Sequence, residues 1–210
     1  MLFRSLGIGL RLSAQAAVEL ARPEELDAWR QDLENNDFYV FTLNGFPYGR
    51  FHGIPVKADV YRPDWSSADR LRYTNLLADL LAALLPDDPG LEGSISTVPI
   101  GFEQTIQTSA DIDLAVGHII KHIAHLVAIK QRTGKTLALG LEPEPCCVLE
   151  TIEQTATFFK NHLSGEAIQV LSSLTGLDHQ QSREAMQTHL GVCLDLCHAA
   201  VEFEGLEQIL

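Results

Sequence analysis

The chain has 210 residues, 46% of them hydrophobic, and carries 15 Lys and Arg against 28 Asp and Glu for a formal charge of -13. That length suits one domain with a substantial core. The acidity excludes nucleic acid as an expected partner, since phosphate binding needs a basic patch and the basic residues form no cluster; it gives no pull towards anionic membranes either.

Gly7 to Ser13 alternates as a strand. Ala14 to Asn35 reads as helical with a break near Pro23, and it ends at the Asn35-Asn36-Asp37 turn signal. Phe38 to Leu43 is aromatic and β-branched, hence a strand. A loop rich in Gly, Pro and aromatics follows from Asn44 to about Trp65. Ser66 or Ser67 is placed to cap an amphipathic helix that runs to Leu85. Ser94 to Val98 is a strand closed by Pro99, and Ser109 is expected to cap a helix from Ala110 to Arg132 that Gly134 ends. Thr136 to Leu141 is the next strand. Thr151 to Gly165 and a stretch on to His189 are helical, with an irregular Gly176-to-His179 junction. Leu190 to Leu194 is the last strand, and the tail from Gly205 reads as a helix start.

Alternating strands and helices imply right-handed crossovers and a parallel sheet. About five βα units are present, where a closed barrel takes roughly 250 residues. The expected fold is a partial (β/α)8 TIM barrel in one domain, residues 1–210, with the barrel's first strand and last strands outside it. An open doubly wound sheet is the alternative, but no Gly-rich nucleotide loop follows the first strand. No apolar run approaches the 18 residues of a membrane span, and the N-terminus shows no cleavage site. A cytoplasmic protein without direct membrane insertion is expected.

Two apolar runs end abruptly in carboxylates: Leu139-Gly140-Leu141-Glu142-Pro143-Glu144-Pro145 and Gly191-Val192-Cys193-Leu194-Asp195-Leu196-Cys197-His198. Buried parallel strands are apolar on both faces, and α/β barrels place their chemistry at the C-terminal ends of strands. Glu142, Asp195 and His198 therefore form a candidate metal set with mixed oxygen and nitrogen ligands. Glu142 and Glu144, two residues apart, point the same way and are the candidate general bases. For Asp195 the structural reading is helix N-capping. The Asn44-to-Gly53 loop offers Asn44, Phe46, Tyr48 and His52 for substrate binding, and Arg11 ends the first strand on the same rim. Ser13 and Thr97 also end strands and are weaker candidates. His118, His122 and His125 share a helix at i, i+4 and i+7 spacing; on an outer helix they read as surface or half-buried residues. The four cysteines, Cys146, Cys147, Cys193 and Cys197, are not spread as a disulfide framework and read as reduced thiols.

Leu141-Glu142-Pro143 and the segment from Cys193 to His198 resemble the metal-ligand strands of the xylose-isomerase-like barrel superfamily, which includes sugar isomerases and epimerases. The second segment is similar to that of the endonuclease IV type of apurinic endonuclease, in which the Asp and His bind zinc. Taken with Gly9-Leu10-Arg11-Leu12-Ser13, Asn44-Gly45-Phe46-Pro47-Tyr48-Gly49, Phe51-His52-Gly53, Val60-Tyr61-Arg62-Pro63-Asp64-Trp65, and Ser94 to Pro99, the chain is similar to the EboE-type metabolite-traffic proteins. That resemblance implies a divalent cation (Zn, Mn, Co or Mg) on Glu142, Asp195 and His198, a small-molecule metabolite or sugar-like substrate, and partners among the other proteins of one metabolite-traffic cluster. Its activity would be isomerase- or epimerase-like. A non-enzymatic metabolite carrier and a metal-dependent phosphodiesterase are the alternatives.

Overall fold

The structure is a computed structural model that describes residues 5–49 and 58–205. Among these, five strands form one sheet: β1 (Leu6–Arg11), β2 (Phe38–Asn44), β3 (Gly93–Thr97), β4 (Leu137–Leu141) and β5 (Leu190–Val192). All neighbours are parallel and lie in chain order, β1-β2-β3-β4-β5. A doubly wound sheet reverses its order at a switch point. This one does not, and its consecutive order is consistent with part of a TIM barrel.

Helices connect the strands. α1 (Ala14–Leu20) and α2 (Pro23–Asn35) follow β1, and the break lies where Pro23 opens the second helix. α3 (Ala68–Leu84) starts at Ser67, whose hydroxyl accepts the Asp69 N–H. The next cap differs from the expected one. α4 (Ser109–Thr133) is capped by Thr108, and Asp111 closes a reciprocal capping box. Gly134, at φ 76°, ends it in the left-handed conformation that glycine adopts without strain. α5 (Ile152–His162), α6 (Glu166–Thr175) and α7 (His179–His189) lead to β5, and α8 (Leu196–Val201) follows.

The sheet faces differ, which corrects the expectation of strands apolar on both sides. Val40, Leu43, Ile95, Leu137, Leu139 and Leu141 are buried under the helices. The opposite face carries Gly9, Arg11, Thr42, Asn44, Ser94, Ser96, Ala138 and Gly140, all exposed or half-exposed. A register shift in β1–β2 takes Ile8↔Val40 to Gly9↔Thr42 and leaves Phe41 as the extra residue. The shift reverses the in–out alternation. Val40 and Leu43 therefore share the helix side, while Thr42 and Asn44 take the other.

α4 is the central helix, packed on α3 and α6. By length and composition it is apolar enough to cross a membrane, although no continuous apolar run marks it. Its apolar stripe, including Ile119, Ile123, Leu126 and Ile129, is fully buried in the core. Of its histidines, His118 and His125 are half-buried as expected, and His122 departs from that expectation. His122 is fully buried. It donates through Nδ1 to Asn75 Oδ1 on α3 at 2.6 Å, while its Nε2 has no partner. His118 Nδ1 donates to the Trp65 carbonyl at 2.8 Å, and His125 Nε2 lies 3.1 Å from Asp79 Oδ1.

Candidate metal centre

β4 and β5 lie side by side with Leu141 opposite Val192. The Glu142 N–H donates to the Thr97 carbonyl at 3.1 Å and the Cys193 N–H to the Leu141 carbonyl at 2.8 Å. These bonds continue the ladder one residue past the strands. Glu142 is thereby fixed to the sheet's frame at its C-terminal edge.

The chain leaves β5 through Cys193 and Leu194 and starts α8 at Asp195. Asp195 Oδ1 accepts the Cys197 N–H at 2.7 Å and the His198 N–H at 3.4 Å. Its other oxygen, Oδ2, lies 3.7 Å from His198 Nε2. The helix-capping reading of Asp195 is realised on Oδ1, which leaves Oδ2 on the side of His198. His198 Nδ1 is 3.1 Å from the Pro143 carbonyl. A carbonyl only accepts, so Nδ1 carries a proton, and in the neutral ring the lone pair sits on Nε2.

One ligand atom each from Glu142, Asp195 and His198 lie within 4.8 Å of one another, and all three residues are half-buried. The donor set fits a divalent cation in three respects. It mixes carboxylate oxygen with imidazole nitrogen, as borderline cations accept. The histidine is locked by a carbonyl in the tautomer a ligand needs. Burial, reinforced by Asp195 and Glu144, pushes the Glu142 carboxyl above its ordinary range although His198 and Ser96 partly offset it. An anion set apart from a compensating positive charge is one that a cation stabilises. Burial also pushes Asp195 up, but the Cys197 N–H, the His198 imidazole and the His198 N–H together outweigh it and leave the carboxyl below its ordinary range.

Glu144 stands apart from the three-residue cluster. Its Oε1 accepts from Tyr61 Oη at 3.3 Å, and burial raises its carboxyl despite His198 and Tyr61. Tyr61 stacks on Phe102 at 5.3 Å and meets Phe46 edge-on at 5.7 Å. An isolated antiparallel bridge between Phe102 and Cys147 ties the β3–α4 loop to the β4–α5 loop. All four cysteines are free thiols. Cys193, beside the cluster, is held protonated by burial and by Glu142 and Asp195, its thiol pushed up to about 11.

A cavity of about 490 Å³ opens on the helix-free face of the sheet, lined by Arg11, Asn44, Ser96, Gly140 and Cys193 among others. Arg11 and Asn44 therefore share one space. Phe46 lies in the core, 8% exposed, and Tyr48 packs edge-on against Tyr73 at 5.1 Å; neither lines this cavity. His52 lies outside the described residues. Ser13 caps α1 by accepting the Ala16 N–H, and Thr97 is fully buried on the helix side. Sequence reasoning missed Ser96 and Tyr61. Ser96 was legible from the strand period, since it shares a face with Ser94 and alternates with Ile95 and Thr97. Nothing in the sequence joins Tyr61 to Glu144, 83 residues away.

No protein-family model matches the chain, and no curated protein matches it. In fold it is similar to the 1.8 Å crystal structure of the IolI protein with a binding zinc atom, at a TM-score of 0.50 and 16% sequence identity. The match covers 96% of this chain and 57% of the IolI chain, so the chain spans a little over half the length of that structure. At this identity the likeness concerns the fold alone, an α/β architecture with a parallel sheet.

Proposed function

We propose that this protein binds a divalent cation on Glu142, Asp195 and His198 and handles a small hydroxylated, sugar-like metabolite in the adjoining cavity, in the manner of the EboE-type metabolite-traffic proteins. The observation that carries the reading is the convergence of three ligand atoms within 4.8 Å at the C-terminal ends of β4 and β5. The zinc atom in the similar IolI structure adds support.

A bound cation would polarise a hydroxyl or carbonyl oxygen of the substrate. The protein's own residues do the rest. Pro143 O holds His198 in one tautomer, and the α8 amides hold Asp195. Glu142 and Glu144, both raised by burial, are proton acceptors of enhanced basicity. Tyr61 Oη holds Glu144 by a hydrogen bond to Oε1, and Glu144 is not among the three clustered ligands, so Glu142 serves as ligand and Glu144 as base. Asn44 and Arg11 bind the substrate's polar groups. The cluster's further partners are other proteins of the same traffic system.

Titration of the chain with Mn²⁺ and Zn²⁺ by calorimetry tests the reading. One site per chain is expected, lost on chelation. A chain that binds neither ion at micromolar concentration overturns it.

A further inference from the structure

A second cavity, of about 630 Å³, lies at the N-terminal end of the sheet, where β1 and β2 begin, and so at the opposite end from Glu142, Asp195 and His198. It is enclosed by the last turn of α2, the start of β2 and the segment that follows α3. Ligand pockets combine apolar walls with a few placed polar groups, and this cavity has both. Leu33, Leu84 and Leu85, all buried, line it together with half-buried Leu91. Two aromatic residues, Phe38 and Tyr39, complete the apolar part. The Tyr39 ring lies over Gly7, where an added Cβ would meet its Cζ and Oη at 2.8 Å. The glycine gives the ring its place.

The charged lining is Glu34, Asp37, Asp87 and Asp88 against Arg30 and Lys135, four acids to two bases. Lys135 is spent. Its ammonium donates to the Ala82 and Leu85 carbonyls and pairs with Asp87 at 2.9 Å. That leaves Glu34, Asp37 and Asp88 against Arg30. Asp88 Oδ1 accepts the Gly90 N–H at 2.9 Å, a neutral donor that does not cancel its charge. Among the described residues, the Glu34 and Asp37 carboxylates form no ion pair. Lys135 also shows what this end of α3 attracts. A helix C-terminus leaves carbonyls free and carries partial negative charge, and here the chain's own ammonium sits on them.

Apolar walls, aromatic rings and uncompensated carboxylates are jointly complementary to an ammonium group on an apolar stem, because ring faces attract cations as carboxylates do. We propose that this cavity is a binding site for a small organic ammonium ion, an amine borne on a short apolar chain. The ammonium lies against Glu34 and Asp37 beside the β2 aromatics, and the chain lies along Leu33, Leu84 and Leu91. The site is independent of the metal-site reading.

Calorimetry on the full chain tests this with hexylammonium, 1-hexanol and hexanoate, which share an alkyl chain and differ in head group. Hexylammonium should bind about tenfold more tightly than hexanol, and hexanoate more weakly than either. Glu34→Gln combined with Asp37→Asn should lower the ammonium-to-alcohol ratio by about fivefold. Arg30→Gln removes the opposing charge and should tighten hexylammonium by about twofold. Mn²⁺ affinity should be the same in these variants as in wild type. A wild-type ratio near one, a ratio that survives the double substitution, weaker ammonium binding in Arg30→Gln, or no binding of hexylammonium at millimolar concentration overturns the site. If Mn²⁺ fails to bind the wild-type chain, the metal reading falls, and the head-group comparison on the same chain still decides this one.

Discussion

Two histidines of this molecule, each with Nδ1 on an oxygen, are opposites. At the rim, His198 has its Nδ1 proton on a carbonyl and its Nε2 facing Asp195. Between α3 and α4, His122 has its Nδ1 proton on Asn75 and its Nε2 sealed in the core without a partner. The rim sits where strands end and backbone geometry aims side chains at a shared opening. The seam sits between two helices, where ring nitrogens serve packing. His122 is a neighbour of His125 and His189, which like burial oppose its charge, and its pKa falls to about 3. Histidine spacing does not tell a ligand from a strut. What the second nitrogen faces does.

The largest effect should come from attacking the rim. Glu142→Gln keeps the shape and removes a ligand charge. Even the loss of a group supporting a metal ligand costs about 10–100-fold in affinity, so Mn²⁺ binding should weaken by at least about tenfold in calorimetry. His122→Gln should leave it unchanged. Equal metal affinities for wild type and Glu142→Gln would erase the contrast.

Acid should strike the seam. The folded pKa of His122 lies below its unfolded value of about 6.5, so the unfolded chain takes up the proton first. The stability it contributes is present above pH 6.5 and is lost as pH falls towards 3. Between pH 7 and pH 5 this group alone should cost about 2 kcal/mol, visible in chemical denaturation of the metal-free chain. In His122→Gln the acid slope over that window should flatten, although the variant is less stable at pH 7 because Asn75 loses its bond. An unchanged slope would show that other groups govern acid unfolding.

Smaller effects sharpen the same line. Thr108→Ala removes the cap of the helix that carries the seam and should cost about 1 kcal/mol of stability, with Mn²⁺ affinity unaltered. Tyr61→Phe keeps the stack on Phe102 and loses one long hydrogen bond. Its stability cost should stay under about 1 kcal/mol, and only turnover, if Glu144 is the base, should respond.

The end of β4 before Glu142 was legible because an apolar run stops there and carboxylates begin; β5 was expected to run to Leu194 but ends at Val192, and Asp195 opens α8 instead. The order of helices was legible from Pro23, Gly134 and Gly176, where backbone chemistry punctuates the chain. The cavity face was not, because Gly, Ser and Ala between leucines read as weak apolar runs when the register is unknown. The extra residue at Phe41 hid it further by reversing the alternation within one strand. His122 misled for a related reason: its partner Asn75 lies on another helix, 47 positions away, and pairing at that distance leaves no periodic trace.

The bridge between Phe102 and Cys147 has a mechanical consequence. Glu103 N–H meets the Cys146 carbonyl at 3.0 Å and Val148 N–H meets the Gly101 carbonyl at 3.0 Å, so two loops from different βα units are stitched into one span. That span carries Phe102 on one leg and Glu144 just before the other, with Tyr61 keyed into both. A residue inserted in either leg would be felt across the arch, and the geometry of Glu144 is thus set by a segment that begins at Gly101, far before it in the chain.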